Sequence, residues 1–466
     1  MLRAPLIVAC ALLMEHIDST VIATSLPLIA RDLGRDPLVL KLGLSAYLVS
    51  LAVFIPVSGW FADRFGARPV FCAAIVTFMG SSMLCGFARS FAFFVAARFL
   101  QGIGGAMMVP VGRIIIVKTV PRDELVTALN YLTIPALLGP MLGPPLGGLI
   151  TTYINWRWIF FINVPISVLG IVLALRFIPN VQETAPPPLD TTGFVLSATG
   201  LSLLMFGLST INERVISHEL AVVCIAAGTA ATLMHFRLAR HKPMPLLDLD
   251  LFKVKTFWVG VGGGSLYRIG IGAISLVLPL MFQLGFGLNP LQSGMLTCAA
   301  AFGSLFMKSA IKFFLRLYGF RSVLFWNAFL AAGSVAVMGL FTARTPHWLV
   351  FSVLLVGGCI RTLQFTGLNA IAYADIPDED VSKATSLFAT VQQLSLGVGV
   401  TAGAFAVQAS SFLQGHKNIV AADFWPAFVF LSIIVASSVG SIRTLAPEAG
   451  ADMAGRRAKS ATQDAS

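Results

Sequence analysis

Three ionisable side chains lie close together in the first apolar stretch of the chain. Residues 6–30 form an apolar run with Glu15, His16 and Asp18 near its middle. A run of roughly 20 apolar residues can span a bilayer. A carboxylate at that depth costs a few kcal/mol unless it faces a protein interior or a watery cavity, and such residues commonly mark ion or proton paths. We therefore predict a proton-coupling site on this helix.

The spacing of the two acids favours a shared proton. Glu15 and Asp18 are three residues apart, so they lie on one face of a helix. Two carboxylates that close do not both ionise cheaply, which favours a proton on one of them. The competing interpretation is that Asp18 is locked in an ion pair with a buried arginine and only holds helices together. We prefer the proton-carrying interpretation because polar groups inside membranes are so often functional.

Composition places nearly the whole chain in lipid. Of the 466 residues, 57% are hydrophobic and 11% are charged, whereas ordinary soluble proteins contain about 45–50% apolar and about 25% charged residues. The net charge of +11 is distributed over loops, which indicates membrane orientation and not a nucleic-acid partner. The six cysteines stand singly in apolar segments, so neither a metal site nor a disulfide is predicted.

Hydropathy predicts an all-α integral membrane protein with about fourteen spans. An even number puts both ends on one side, and placing them in the cytoplasm assigns roughly 20 lysines and arginines to the inside and about 8 to the outside. The predicted spans are 6–30, 40–62, 69–88, 92–117, 125–152, 158–178, 192–211, 219–236, 255–283, 290–313, 322–341, 347–373, 385–411 and 424–443.

A tight basic turn follows the second predicted span. It carries Gly59, Asp63, Arg64, Gly66 and Arg68. The glycines allow close backbone approach, and the aspartate can accept hydrogen bonds from a helix N-terminus while the arginines reach carboxylates. Residues 316–323 form a weaker copy of this turn, which indicates an internal repeat.

The repeat predicts two similar halves. We expect an N-terminal six-helix bundle over 1–178, a linker with two inserted helices over 179–254, a C-terminal six-helix bundle over 255–443, and a disordered cytoplasmic tail over 444–466. Parallel halves of this kind place the substrate site between them, near the middle of the membrane.

Arg98 and Asp18 are predicted to lie at compatible depths. At 1.5 Å per residue, Arg98 is about 9 Å from the outer surface and Asp18 is about 13 Å from it. An ion pair between them, broken and remade by a proton, is geometrically allowed. Gln101 follows one turn later on the same span.

Two further arginines, Arg268 and Arg361, are predicted about 20 Å into their spans. Buried arginines must be paired or solvated. They could be counter-ions for Glu15 and Asp18, which we prefer slightly, or they could hold an anionic substrate. Gln364 adds polar atoms close to Arg361.

The fifth span contains a dense set of glycines and prolines. Three of the glycines stack on one helix face at four-residue spacing and permit near-contact helix packing, while the prolines bend the helix because they lack N–H donors. The set comprises Gly139, Pro140, Gly143, Pro144, Gly147 and Gly148.

Together these stretches resemble the major facilitator superfamily, specifically its fourteen-span drug/proton antiporters. Residues 59–69 are similar to the family's loop motif G-x-x-x-D-R-x-G-x-R, and residues 98–104 to its fourth-span motif R-x-x-Q-G-x-G. Residues 139–148 resemble the fifth-span antiporter motif G-x-x-x-G-P-x-x-G-G. Residues 156–165 are similar to the W-R-W-I-F-x-I-N-x-P run of the fourteen-span branch.

The resemblance implies two six-helix bundles that alternate access by rocking. It implies that Asp63, Arg64 and Arg68 form an interdomain latch, that Arg98 takes part in proton transfer, and that Asp18 carries protons or contacts substrate. It implies a monomeric multidrug efflux transporter of the bacterial inner membrane, with cytoplasmic termini. Its partners would be a small-molecule substrate, protons and lipid, and a proton gradient rather than a cofactor would drive it.

Two departures from the family pattern bear on the chemistry. Glu15 and His16 replace positions that are more often uncharged, which could add a second titrating site or a preference for cationic substrates. In the second copy of the basic turn, Arg316 stands where the first has Asp63, so one latch carboxylate is expected.

Other functions use different features. A symporter or facilitator that imports a nutrient would use the same fold, since fold does not settle direction; the antiporter motif argues against it by resemblance. A membrane-embedded enzyme is less favoured, because the sequence has no phosphate-binding loop, no His-Glu-x-x-His and no Gly-x-Ser-x-Gly. A receptor or structural role ranks last.

Overall fold

The computed structural model describes residues 3–120, 125–181, 188–211, 215–242, 245–377, 380–416 and 418–453; for residues 3 and 125–137 it describes the backbone only. These parts of the chain are helical and contain no strand. The predicted all-α fold class is therefore confirmed. Residues 182–187 of the predicted linker and 454–466 of the predicted tail lie outside the described residues.

The helices follow the apolar segments of the sequence. Because lipid offers no hydrogen-bond partners, a spanning segment must satisfy its backbone internally, which a helix does. The α-helices are α1 (Arg3–Val21), α2 (Leu26–Asp32), α3 (Lys41–Phe65), α4 (Ala67–Phe87), α5 (Phe91–Thr119), α6 (Leu125–Tyr153), α7 (Trp158–Phe161), α8 (Asn163–Phe177), α9 (Thr191–Thr210), α10 (His218–Ala239), α11 (Lys255–Phe257), α12 (Gly264–Leu280), α13 (Pro290–Thr297), α14 (Ala299–Met338), α15 (His347–Ile371), α16 (Val381–Leu413), α17 (Phe424–Ser437) and α18 (Val439–Ile442).

Polar side chains at the ends of the apolar segments begin several of these helices. Ser90 accepts a hydrogen bond from the Phe93 N–H at 3.3 Å, and Asp190 accepts one from the Gly193 N–H at 2.8 Å. Such caps satisfy N–H groups that have no partner inside the helix.

Twelve helical segments of the described residues are long and apolar enough to cross a membrane. The segment Pro290–Met338, with 49 residues, contains the predicted span 290–313 and most of the predicted span 322–341. Helix α6 coincides with the predicted span 125–152. Its side chains are described only from residue 138 onwards. The structure is thus a multi-pass membrane protein, and the number of fourteen spans stays a prediction.

The chain forms two compact units. The first contains Met1–Leu247 and Ser275–Cys298, and the second contains Asp248–Ile274 and Ala299–Ser466. Helices α1 to α10 and α13 belong to the first unit. Helices α14 to α18 belong to the second, together with α11 and most of α12.

The two copies of the basic turn share an unusual backbone conformation. Gly66 ends α3 with φ +92° and ψ 141°, and Gly319 interrupts α14 with φ +76° and ψ 161°. This region is essentially restricted to glycine. The internal repeat inferred from the sequence thus has the same local geometry in both units.

The inserted helices α9 and α10 pack in the first unit. Phe194 of α9 meets Phe54 of α3 with ring centroids 5.7 Å apart. A Cβ atom added at Gly207 would lie 2.9 Å from the Ala221 carbonyl oxygen of α10, so glycine is what lets these two helices approach so closely.

Candidate proton and substrate site

Helix α1 carries the candidate site, and the glycine face of α6 holds it in place. A Cβ atom at Gly139, Gly143 or Gly147 would overlap His16, Thr20 or the backbone of Val21, respectively. The Thr20 hydroxyl also donates to the Gly139 carbonyl oxygen at 3.2 Å. The three glycines predicted to share a face therefore contact α1 directly, on either side of Asp18.

The remaining members of the glycine and proline set lie elsewhere on α6. Gly148 packs on α13, where a Cβ atom would overlap the backbone of Pro290. A Cβ atom at Gly294 of α13 would in turn overlap the Pro144 carbonyl oxygen of α6. Pro140 is exposed.

Asp18 is buried and fully hydrogen-bonded. Its Oδ2 accepts from Arg98 Nη1 at 2.8 Å, and its Oδ1 accepts from Gln101 Nε2 at 3.0 Å and Asn163 Nδ2 at 2.7 Å. Arg98 Nη1 also donates to Gln101 Oε1 at 2.5 Å. All four residues are at most 1% exposed. The ion pair that the depth argument allowed is thus present in the structure.

Glu15 has different partners from Asp18. Tyr47 donates its hydroxyl to Glu15 Oε1 at 2.7 Å, and His16 Nδ1 lies 3.2 Å from Glu15 Oε2. The Glu15 side chain is 6% exposed and that of His16 is 30% exposed. Oε2 has no hydrogen bond within the described part of the chain. The acids predicted to share a proton therefore sit in two adjacent environments.

Tyr47 connects these two environments. The Arg98 guanidinium carbon lies 4.5 Å from the centroid of the Tyr47 ring, within cation–π range. The Tyr47 hydroxyl fits beside Gly105, where a Cβ atom would stand 3.0 Å from it. The result is a continuous chain of contacts from Glu15 through Tyr47 and Arg98 to Asp18.

Tyr47 and Asn163 are site residues that the sequence did not predict. Tyr47 lies in an ordinary apolar span, and nothing in its local sequence signals a functional role. Asn163 belongs to the run 156–165 that resembles the fourteen-span branch. The signal that could have identified Asn163 was its polar amide inside an apolar segment.

Arg268 has neutral partners in the second unit. It donates to the Gly260 carbonyl oxygen at 2.9 Å and to Asn369 Oδ1 at 3.0 Å, and its guanidinium lies 4.9 Å from the Phe388 ring centroid. Its Nε has no acceptor among the described residues. That Arg268 is a counter-ion for a first-span acid, the interpretation we prefer slightly, stays a prediction.

Arg361 and Gln364 lie one turn apart on α15. Tyr267 of α12 donates to the Arg361 carbonyl oxygen at 2.7 Å, and Asn327 of α14 donates to Gln364 Oε1 at 3.0 Å. Arg361 Nη1 and Gln364 Nε2 are buried and have no acceptor in the described chain. The predicted role of Arg361 as a counter-ion likewise stays a prediction.

The basic turn after α3 differs from its predicted geometry in two respects. Asp63 pairs with Lys118 at the end of α5, 3.3 Å away, instead of capping a helix. A Cβ atom at Gly59 would meet nothing within 4 Å, so the predicted close approach applies only to Gly66, which lies against Asn180. Arg68 Nη1 donates to the Ile178 carbonyl oxygen at 3.4 Å.

Arg64, the remaining member of the predicted latch, is exposed. No cluster of metal-ligating side chains occurs within the described ranges.

Many apolar helices, a repeated glycine turn and a buried charge network in one bundle define the class of secondary transporters. A model of the Major Facilitator Superfamily matches residues 8–400. The chain belongs to this superfamily, which confirms the resemblance. It is therefore a small-molecule transporter embedded in the lipid bilayer and not an enzyme.

Curated relatives cover almost the whole chain. One, named "Putative multidrug resistance protein MdtD", from Cronobacter sakazakii, is 36% identical over 438 residues, 92% of this chain and 92% of its own length. A protein of the same name from Klebsiella pneumoniae strain 342 is 35% identical over 434 residues, 93% of this chain and 91% of its own.

The fold is also similar to that of solved transporters. A crystal structure of a D-xylose-proton symporter matches with a TM-score of 0.66 and 15% identity, covering 93% of this chain and 96% of that one. At this identity the likeness concerns the fold.

Proposed function

We propose that this chain is a proton-coupled antiporter that exports small amphiphilic, drug-like compounds across the bacterial inner membrane by alternating access. The names of the curated relatives support export of drugs and disfavour a nutrient importer. The observation that carries the proposal is the contact chain Glu15–Tyr47–Arg98–Asp18, buried inside one helical unit.

In this proposal Glu15 carries the proton. Asp18 accepts three hydrogen bonds, one of them from a guanidinium, so both of its oxygens are already engaged. Glu15 accepts one hydrogen bond and keeps an oxygen free of donors other than the nearby His16. Because His16 is the more exposed of the two, it is suited to pass protons to and from Glu15.

Tyr47 supplies the coupling between proton and ion pair. When Glu15 gains a proton, it loses the charge that holds the Tyr47 hydroxyl, and the tyrosine ring is free to shift against Arg98. A shift of Arg98 would loosen its bond to Asp18, which holds α1, α5 and α8 together through Gln101 and Asn163. Export requires that proton and drug favour different conformations, since a ligand that binds both equally shifts nothing.

The larger organisation completes the proposal. Two six-helix bundles over 1–178 and 255–443, with an inserted pair over 179–254, would rock around a central site, with both termini in the cytoplasm and the chain acting as a monomer. Asp63, Arg64 and Arg68 would latch the cytoplasmic side.

The test is drug-induced proton movement in proteoliposomes that contain a pH-sensitive dye. We expect lipophilic substrates to drive proton flux in the wild type, and we expect Glu15→Gln to abolish that flux while drug still binds. Asp18→Asn should reduce both binding and flux because it removes the charge that Arg98 requires. Glu219→Gln, which changes an exposed acid at the start of α10, serves as the matched control. Proton flux that is unchanged in Glu15→Gln would refute its role.

A further inference from the structure

The second unit contains two buried or half-buried arginines that no described side chain of the unit neutralises. Arg268 is 1% exposed, and its partners are a backbone carbonyl, an amide oxygen and two aromatic rings. Arg361 has no ion pair with any described residue, and its Nη1 is buried without an acceptor. The acids of this unit that form ion pairs, such as Asp380 and Asp423, do so with Lys383 and His416.

Two hydrogen-bond donors on α15 lack an acceptor among the described residues. Gln364 is fully buried, and Asn327 occupies its Oε1, which leaves the two N–H groups of Nε2 without an acceptor. Arg361 lies one turn earlier on the same helix face. Each of these buried donors, one of them charged, lacks an acceptor of the kind that a carboxylate oxygen supplies.

The surroundings leave room for the Arg361 side chain. Its Nη1 lies 3.1 Å from the point where a Cβ atom of Gly357 would be, and Met338 and Ser334 of α14 border the same point at 3.6 and 3.7 Å. The glycine therefore lets the guanidinium lie along α15 between that helix and α14. These neighbours provide one hydroxyl and apolar surface but no negative charge.

Charge balance indicates what is missing. An unpaired guanidinium in a membrane interior is costly, and such charges are normally paired or solvated. In the first unit a carboxylate of the chain, Asp18, balances Arg98. In the second unit no carboxylate of the described chain plays this part, so a bound anion would remove the imbalance.

We propose that Arg361 Nη1 and Gln364 Nε2 bind the carboxylate of a transported amphiphile, while Arg268 adds a second positive charge in the same unit. This inference rests on the proposed transport function and extends it, because it assigns anionic, carboxylate-bearing compounds to the substrate range. The acidic residues of the first helix, by themselves, would favour cations.

The first test measures binding to the full-length protein in detergent by calorimetry. The probes are 2-naphthoate and its cationic counterpart, 2-naphthyltrimethylammonium. We expect Arg361→Gln to weaken 2-naphthoate binding at least tenfold, about 1.4 kcal/mol, and to leave the ammonium compound unaffected. Arg344→Gln, which removes an exposed arginine, should change neither. Equal 2-naphthoate affinity in the wild type and Arg361→Gln would overturn the proposal, as would no binding by the wild type.

A second variant supplies the missing charge within the chain. Gln364→Glu keeps the oxygen that accepts from Asn327 and places a carboxylate one turn from Arg361. We expect a higher thermal unfolding midpoint without ligand and loss of 2-naphthoate binding. A lower midpoint with binding retained would contradict the inference. Displacement of 2-naphthoate by chloride at equal concentration would identify an inorganic anion site instead and would also overturn it.

Proton flux separates this inference from the proposed function. If the ammonium compound drives proton flux but 2-naphthoate neither binds nor moves, the carboxylate site is wrong and the antiporter proposal stands. If 2-naphthoate binds through Arg361 and no compound moves protons, the site is real and proton coupling is wrong.

Discussion

The two units surround a buried arginine with different kinds of partner. In the first, Arg98 is bound to Asp18, to Gln101 and to the face of Tyr47. In the second, the acceptors that Arg268 has among the described residues are neutral. The first arrangement balances its charge with a carboxylate of the chain, whereas Arg268 has no carboxylate partner among the described residues.

This difference also predicts different effects on stability when the buried charge is removed from each unit. Removing one partner of a buried, hydrogen-bonded ion pair leaves an unpaired charge and is strongly destabilising. Removing a charge that has no counter-ion eliminates a cost along with its hydrogen bonds. The stability of matched variants in the two units therefore tests the comparison directly.

The largest effect is expected for Arg98→Leu. It leaves Asp18 charged and buried with only two amide donors, so we expect a loss of about 3–5 kcal/mol in unfolding free energy. The measurement is reversible unfolding in mixed micelles. Combining it with Asp18→Leu should recover part of the loss, because the double variant leaves no unpaired charge. If the two single losses simply add, the pair is not coupled.

The repeated turn gives the next effect. Gly66→Ala and Gly319→Ala each force a side chain into a backbone region that glycine alone occupies readily, at about 1–3 kcal/mol. Gly66→Ala should cost more, because its Cβ atom would also overlap Asn180. Thermal unfolding of both variants beside Gly333→Ala, where a Cβ atom meets nothing within 4 Å, measures the difference. Equal behaviour of all three would mean that the turn geometry is not required.

The fold was largely predictable because lipid restricts the choice. Apolar runs had to be helices, and the glycines of α6 had to mark a close approach. Depth alone allowed the Asp18–Arg98 pair but did not require it. The partners of Glu15 did not, because Tyr47 reaches it from another helix and contact between helices is not written in local sequence. The same limit applied to Arg268 and Arg361, whose partners depend on which faces of α12, α14 and α15 meet.

A smaller effect is expected for Arg268→Leu. It loses two hydrogen bonds to neutral acceptors but also removes a buried charge that lacks a counter-ion, so the net change should lie within about 1 kcal/mol. Unfolding under the conditions used for Arg98→Leu provides the comparison. A loss as large as that of Arg98→Leu would show that the second unit neutralises its arginine after all, and the contrast between the units would fail.

The smallest effect concerns an ion pair outside the membrane spans. Partial burial raises the pKa of Asp190, but hydrogen bonds from Lys242 and from the backbone of Gly193 and Leu246 outweigh it, and the pKa lies below its usual value. The interaction therefore stabilises the protein above the unfolded-state pKa of 3.8 and is lost as pH falls through the lower folded-state value. Because the Lys242 side chain is 33% exposed, solvent screens the pair, and its contribution should not exceed about 1 kcal/mol.

Asp190→Asn tests this sign. At pH 7 the variant should unfold at a slightly lower temperature than the wild type, and the gap should close as the pH is lowered through the acidic range where Asp190 takes up its proton. High salt should shrink the same gap at pH 7, whereas it should leave the effect of Arg98→Leu unchanged, since a pair at 0% exposure is shielded from ions. If salt weakens both equally, the Asp18–Arg98 pair is open to water, and the distinction between a balanced interior and a solvated surface has to be redrawn.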